Sequence, residues 1–257
     1  MGDNVLQYLQ DSLVDQYRVL DLNILQLADP SATEALHQTR IAMRRLRSLL
    51  RPWREQGDWF SSVDSLSAEL GRETGPLRDR QVLVQELEKR GARYQAVSRQ
   101  EAMQTSCALL GGDLRYRLLQ LAIINLEQRL TVGSDDYRLE PDTLDSYAYK
   151  LTRKLRKTLG KKNPDLHEVR KEIKKLRYLY QAYSEYLLPS SELTKALKRA
   201  QNELGEWHDN LQWLMISERE TDLYCCRDHW QTQIDKRAER ARKRLKKLRK
   251  LLRSTKG

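Results

Sequence analysis

Residues 36–53 read LHQTRIAMRRLRSLLRPW, and residues 166–183 read LHEVRKEIKKLRYLYQAY. At 3.6 residues per turn, Leu36, Met43, Leu46, Leu50 and Trp53 fall on one face of a helix. Leu166, Val169, Ile173, Leu176 and Tyr180 do the same in the second stretch. Beside each apolar face runs a cationic stripe with steps of three and four residues. The first holds His37, Arg40, Arg44, Arg47 and Arg51; the second holds His167, Arg170, Lys174 and Arg177. Arg45, Lys171 and Lys175 lie on the outer flank, and Tyr178 adjoins the second stripe.

The two stretches belong to a longer self-similarity. Shifted by 130 residues, the chain meets itself without a gap. Asp15 and Tyr17 meet Asp145 and Tyr147, Tyr94 meets Tyr224, and Gly75-x-Leu77-Arg78-Asp79 meets Gly205-x-Trp207-His208-Asp209. The spacing from His37 to Asp79 equals that from His167 to Asp209. A gapless register carrying several polar matches points to one unit used twice. Apolar periodicity and punctuation predict four helices per unit: 3–28, 31–56, 58–91 and 93–131, then 142–161, 163–187, 189–222 and 224–254. Asp29-Pro30-Ser31, Asn163-Pro164-Asp165 and Pro189-Ser190-Ser191 supply stops and caps. Gly111-Gly112 marks a kink in the fourth helix. Thr131 to Asp142, with Gly133 and Pro141, reads as the linker between repeats at 1–131 and 142–257. The expected fold is all-α, two four-helix bundles related by a pseudo-twofold, which would bring the stripes toward one shared surface.

Composition agrees with helices. Gly and Pro number 11 and 6 in 257 residues, too few for the turns of a β-sandwich. The most apolar run, Leu118 to Leu126, is interrupted by Gln120 and Asn125 and is too short for a membrane span. The acidic amino terminus lacks a signal-peptide pattern. Three cysteines, Cys107, Cys225 and Cys226, make no disulfide framework and no zinc-ligand spacing. These features lead us to expect a cytoplasmic protein.

The formal net charge is +11, from 47 Lys and Arg against 36 Asp and Glu. Residues 236–257 hold 12 of the cations and one acid, Glu239, so the rest of the chain is balanced. Leu245, Leu248 and Leu252 leave that segment a thin apolar seam. It reads either as the last helix of the second bundle or as a basic anchor for nucleic acid or an anionic membrane surface.

The stripes point to an anion. Like charges on adjacent turns destabilise a helix unless counter-ions are near, and few acids stand within reach along either stripe. The helix before the second stripe adds Lys150, Arg153, Lys154, Arg156 and Lys157, whereas residues 20–27 of the first unit add no cation. Arg forks and Lys point charges along a groove suit a repeating polyanion. Nucleic acid and inorganic polyphosphate both qualify. Single-stranded nucleic acid readers set aromatics among the cations. Here Phe occurs once, and on the stripe helices Trp53, Tyr180 and Tyr183 fall on apolar faces, leaving Tyr178 as the one aromatic of those helices beside the charge. Phosphates without bases fit better.

Taken together, His37-x-x-Arg40-x-x-x-Arg44-Arg45-Leu46-Arg47, its echo from His167 to Tyr178, Arg78-Asp79 and Leu204-Gly205-Glu206-Trp207-His208-Asp209 resemble the CHAD domain, a helical domain named for its histidines. The resemblance spans nearly the whole chain. It implies two four-helix bundles with pseudo-twofold symmetry and a basic surface that binds inorganic polyphosphate. Its implied site comprises the stripe and flank cations, Arg78, Arg153, Lys154, Lys157, Tyr178, His37, His167 and His208, and it implies an association with polyphosphate granules. The E-x-E-x-K strand motif of the triphosphatase domain found in many relatives is missing; Glu86-Leu87-Glu88-Lys89 has the wrong spacing and a helical setting. No enzymatic activity, cofactor or metal is therefore expected. His208-Asp209 resembles the metal-binding pair of phosphohydrolases, but the matching pair is Arg78-Asp79. A position that accepts Arg is cationic rather than ligating.

Overall fold

The computed structural model describes residues 5–133, 137 and 139–254. Among these, every regular element is helical: α1 (Val5–Leu25), α2 (Ala35–Leu50), α3 (Asp58–Lys89), α4 (Arg93–Gly111), α5 (Leu114–Val132), α6 (Pro141–Gly160), α7 (Leu166–Ala182), α8 (Ser191–Ser217) and α9 (Arg227–Ser254). Short 3-10 turns at Gln26–Ala28, Arg51–Gln56 and Thr221–Cys226 extend α1, extend α2 and lead into α9. The chain divides into two compact units, residues 1–143 and 144–257. Expected linker residues 134–136 and 138 lie outside the described residues.

α5, α7 and α8 start where side chains take up orphan amides. The Asp113 carboxylate accepts from Arg115 N–H at 2.9 Å, Asp165 from His167 N–H at 2.9 Å, and Ser190 Oγ from Leu193 N–H at 3.2 Å. These caps shift two predicted boundaries. Asp165 caps α7, so Asn163-Pro164 precedes the helix. Asp29 accepts from both the N–H and the hydroxyl of Ser31, holding a turn that delays α2 to Ala35. A third difference concerns the predicted fourth helix. Gly111-Gly112-Asp113 ends α4 and caps α5, so the described residues of the first unit form α1 to α5 where four helices were expected. α3 ends in a Schellman turn: Ala92 N–H donates to Leu87 O at 2.9 Å and Gly91 N–H to Glu88 O at 3.0 Å. Gly91 takes φ +76°, where a side chain would be strained.

In the first unit Leu36, Met43, Leu46, Leu50 and Trp53 are all buried, the face read from α2. In the second unit one core joins Leu155 of α6, Val169, Ile173 and Leu176 of α7, Leu197 and Leu204 of α8, and Leu245, Leu248 and Leu252 of α9. The basic carboxyl-terminal segment is therefore a core helix with a solvated outer face. Arg237 ties it to α8 through Glu203, at 3.2 Å, and Glu206. Cys226 is buried and Cys225 exposed, as their neighbouring positions require. Among the described residues no helix is long and apolar enough to cross a membrane.

Candidate functional site

Both stripes lie at the margin of their cores, neither buried nor fully solvated. His37, Arg40, Arg44, Arg47 and Arg51 are half-buried, as are His167, Arg170, Lys174, Arg177 and Tyr178. Arg45, Lys171 and Lys175 are exposed, matching their place on the outer flank.

In the first unit the stripe has partners that the helix itself could not supply. Asp64 of α3, only 3% exposed, receives Arg47 Nε at 2.9 Å, Arg51 Nε at 3.6 Å and Arg54 Nη1 at 3.4 Å. Arg40 has a different task. Pro76 sits inside α3, where it removes one backbone donor and crowds the carbonyl four residues back. One turn earlier, Arg40 Nη1 donates to Gly71 O at 2.8 Å and to Thr74 Oγ1 at 2.6 Å. The guanidinium thus splints α3 next to its proline. Burial lowers its proton affinity, and Asp79 nearby opposes that shift. At the upper end, Arg78 Nη1 donates to Gln81 Oε1 at 2.6 Å, and Gln81 in turn holds Thr33 O. The His37 imidazole is held below its ordinary pKa, first by burial and then by the charge of Arg78. Arg44 and Arg40 add to this and Glu34 opposes it.

In the second unit His208 stands 130 residues after Arg78, and its surroundings differ. The rings of His167 and His208 lie 5.3 Å apart, centroid to centroid. His208 Nδ1 is buried without a hydrogen-bond partner. Its pKa is pushed down to about 4, by burial first and then by Arg170, His167, Lys174 and Lys171. His167 is lowered by burial and by Lys171 and Arg170, against the pull of Asp165. Two helices thus hold two imidazoles and three cations at close range. Burial first and the nearby cations second hold both imidazoles below their ordinary pKa, and an anion placed beside them would act in the opposite sense.

The cations of α6 gather elsewhere. Lys154 reaches Glu172 of α7 at 3.7 Å, a carboxylate only 6% exposed. Arg153, Lys154 and Lys157 line an open groove of about 730 Å³ together with Tyr149, Lys150, Arg156 and Arg253 of α9. No residue of α7 or α8 lines it, so the expected cations of α6 and α7 occupy two surfaces of this unit. Among the described residues no group of three His, Cys, Asp or Glu side chains is placed to hold a metal ion.

A model of the CHAD domain matches residues 11–215. The chain belongs to the CHAD domain family. The crystal structure of the CHAD domain from the plant Ricinus communis is similar to it, with a TM-score of 0.73 and 20% identity. That likeness covers 98% of this chain and 92% of that one, and at such identity it is one of fold. A search of curated proteins gives no match. The family match ends inside α8, so the stripes, Arg78 and His208 of this CHAD chain fall within it and Arg253 falls outside.

Sequence reasoning missed three parts of the site. Asp64 lies 17 residues from Arg47 on another helix, and nothing local to the stripe announces it. Arg253 meets α6 only through the packing of α9. Tyr149 was passed over, although its place one helical turn before Arg153 is a signal that could have found it.

Proposed function

We infer that this CHAD chain binds inorganic polyphosphate along the cationic margins of α2 and α7 and does not alter it chemically. Its place is cytoplasmic, at polyphosphate granules, as a targeting or scaffolding module. The observation that carries the reading is the pairing of His167 with His208 beside Arg170, Lys171 and Lys174. The cluster is rich in hydrogen-bond donors and positive charge. A chain of phosphates supplies one negative charge per unit and acceptor oxygens all round, so it can meet successive Lys, Arg and imidazole groups. Family membership supports the same ligand, because the CHAD domain is linked to polyphosphate.

In the first unit Arg40, Arg47 and Arg51 face partners on α3, and His37, Arg44, Arg45 and Arg78 are the groups assigned to phosphate there. In the second unit His167, Arg170, Lys171, Lys174, Lys175, Arg177 and His208 carry the larger share. The test is calorimetric titration of long-chain polyphosphate into the full chain at several salt concentrations. Affinity should fall linearly on a log–log plot as counter-ions are released. Lys171→Gln with Lys174→Gln should weaken binding while helicity stays intact. Salt-independent affinity, or an unchanged constant in a folded double variant, would exclude this site.

A further inference from the structure

The groove between α6 and α9 is a second cationic surface, lined by no residue of α7. Its cations are solvent-facing: Lys150, Arg153, Arg156, Lys157 and Arg253 are all exposed. Among the described residues none of these five makes an ion pair or hydrogen bond, whereas Arg40 and Arg47 of the first unit are spent on α3. An aromatic also stands in the lining. Tyr149 is 56% exposed and precedes Arg153 by one helical turn.

Exposed tyrosine on a helix otherwise amphipathic calls for a reason. The apolar positions of α6, Leu144, Ala148, Leu155 and Leu159, are buried, so the helix does not lack core-facing residues that Tyr149 would replace. Around it, like charges repeat at three- and four-residue spacing, from Lys150 through Arg153 and Lys154 to Lys157. That raises the free energy of α6 until an anion arrives. Lys154 has its Glu172 partner; no acid lines the groove.

We propose that the α6–α9 groove binds single-stranded nucleic acid, with the backbone phosphates on Lys150, Arg156, Lys157 and Arg253 and a base stacked on Tyr149 beside Arg153. Phosphate alone would be served by lysines and arginines. A flat phenol face next to planar guanidinium groups adds what a base needs and a bare phosphate chain cannot use. The groove, about 730 Å³ and open to solvent, leaves these side chains accessible to a strand. Recognition of this kind is tolerant of sequence, because every base has a π-face.

Fluorescence anisotropy of a labelled oligouridylate with the full chain tests the proposal, with polyphosphate affinity measured on the same proteins. Tyr149→Ala should lower oligouridylate affinity about tenfold, the loss of one base stack, and leave polyphosphate affinity unchanged. Tyr149→Phe should retain both, since stacking needs the ring and not the hydroxyl. Arg156→Gln with Arg253→Gln should weaken the RNA and flatten its salt dependence. Lys171→Gln with Lys174→Gln should leave oligouridylate affinity intact, which separates this groove from the polyphosphate surface. Tyr149 faces solvent, so its variants should melt as the parent does. The proposal is overturned if the parent fails to bind oligouridylate, or if Tyr149→Ala binds it as well as the parent does. It also falls if Tyr149→Ala loses RNA and polyphosphate in equal measure, the mark of a phosphate-only surface.

Discussion

Replacing Asp64 by Asn tests how far the first stripe belongs to the fold. The carboxylate is 3% exposed and faces Arg47, Arg51 and Arg54 at 2.9, 3.6 and 3.4 Å. Asn keeps the shape but removes the negative charge, leaving three guanidinium groups against a buried amide. Breaking a fully buried pair typically costs about 3–5 kcal/mol. The arginines here are partly solvated, with side-chain exposures of 31%, 23% and 48%, so water takes over some of their charge. Discounting for that solvation leaves about 2 kcal/mol. For a unit of this size the melting temperature should fall by roughly 4–8 °C. Thermal unfolding followed by circular dichroism reads the effect directly. A variant as stable as the parent would show that the Asp64 cluster does not hold α2 to α3, and Arg47 and Arg51 would return to the phosphate surface. Polyphosphate affinity should stay within about twofold, because the second unit carries the larger share of binding.

Three further outcomes follow from the geometry. Polyphosphate should bind more tightly as pH falls: bound anions raise the depressed pKa values of His167 and His208. Affinity therefore grows as pH drops through the bound-state pKa and levels off below the free-state value, about 4 for His208; titrations across this range that show flat affinity would contradict the role of the imidazoles. Arg40→Ala should destabilise the first unit by about 2 kcal/mol, since Gly71 O and Thr74 Oγ1 lose a charged donor beside Pro76; denaturant unfolding measures it. Leu248→Ala, at a position 0% exposed, should cost the second unit about 2–5 kcal/mol and show in the same experiment that α9 is a core helix.

Periodicity in single helices was enough to read much of this molecule. The buried face of α2, from Leu36 to Trp53, and that of α7 appear in the sequence because core positions recur with the helical repeat. The half-buried cations beside them follow from the same geometry. Gly111-Gly112 announced a disturbance, but the capping power of Asp113 turned a kink into a break. The charged segment from Lys236 was read as part of a helix over 224–254, but its role, core helix or basic anchor, stayed open. Its outcome rested on whether Leu245, Leu248 and Leu252 found a core, which a sequence pattern cannot show. The same holds for Asp64 and Arg253, whose roles arise where distant helices meet. In each missed case the deciding contact joins residues on different elements.

The account turns on whether phosphate is held by the helix margins or merely attracted by the net charge of α9. Under identical salt, polyphosphate affinity should be compared for the parent, for Lys171→Gln with Lys174→Gln and His208→Ala, and for Lys243, Lys246, Lys247 and Lys250 all changed to Gln. The second set removes more charge, and from the solvated face of α9. We predict that the α7–α8 substitutions nevertheless cost the greater loss of affinity, with the α9 set acting chiefly on the association rate. A larger loss from the α9 set would contradict the assignment of the polyphosphate surface.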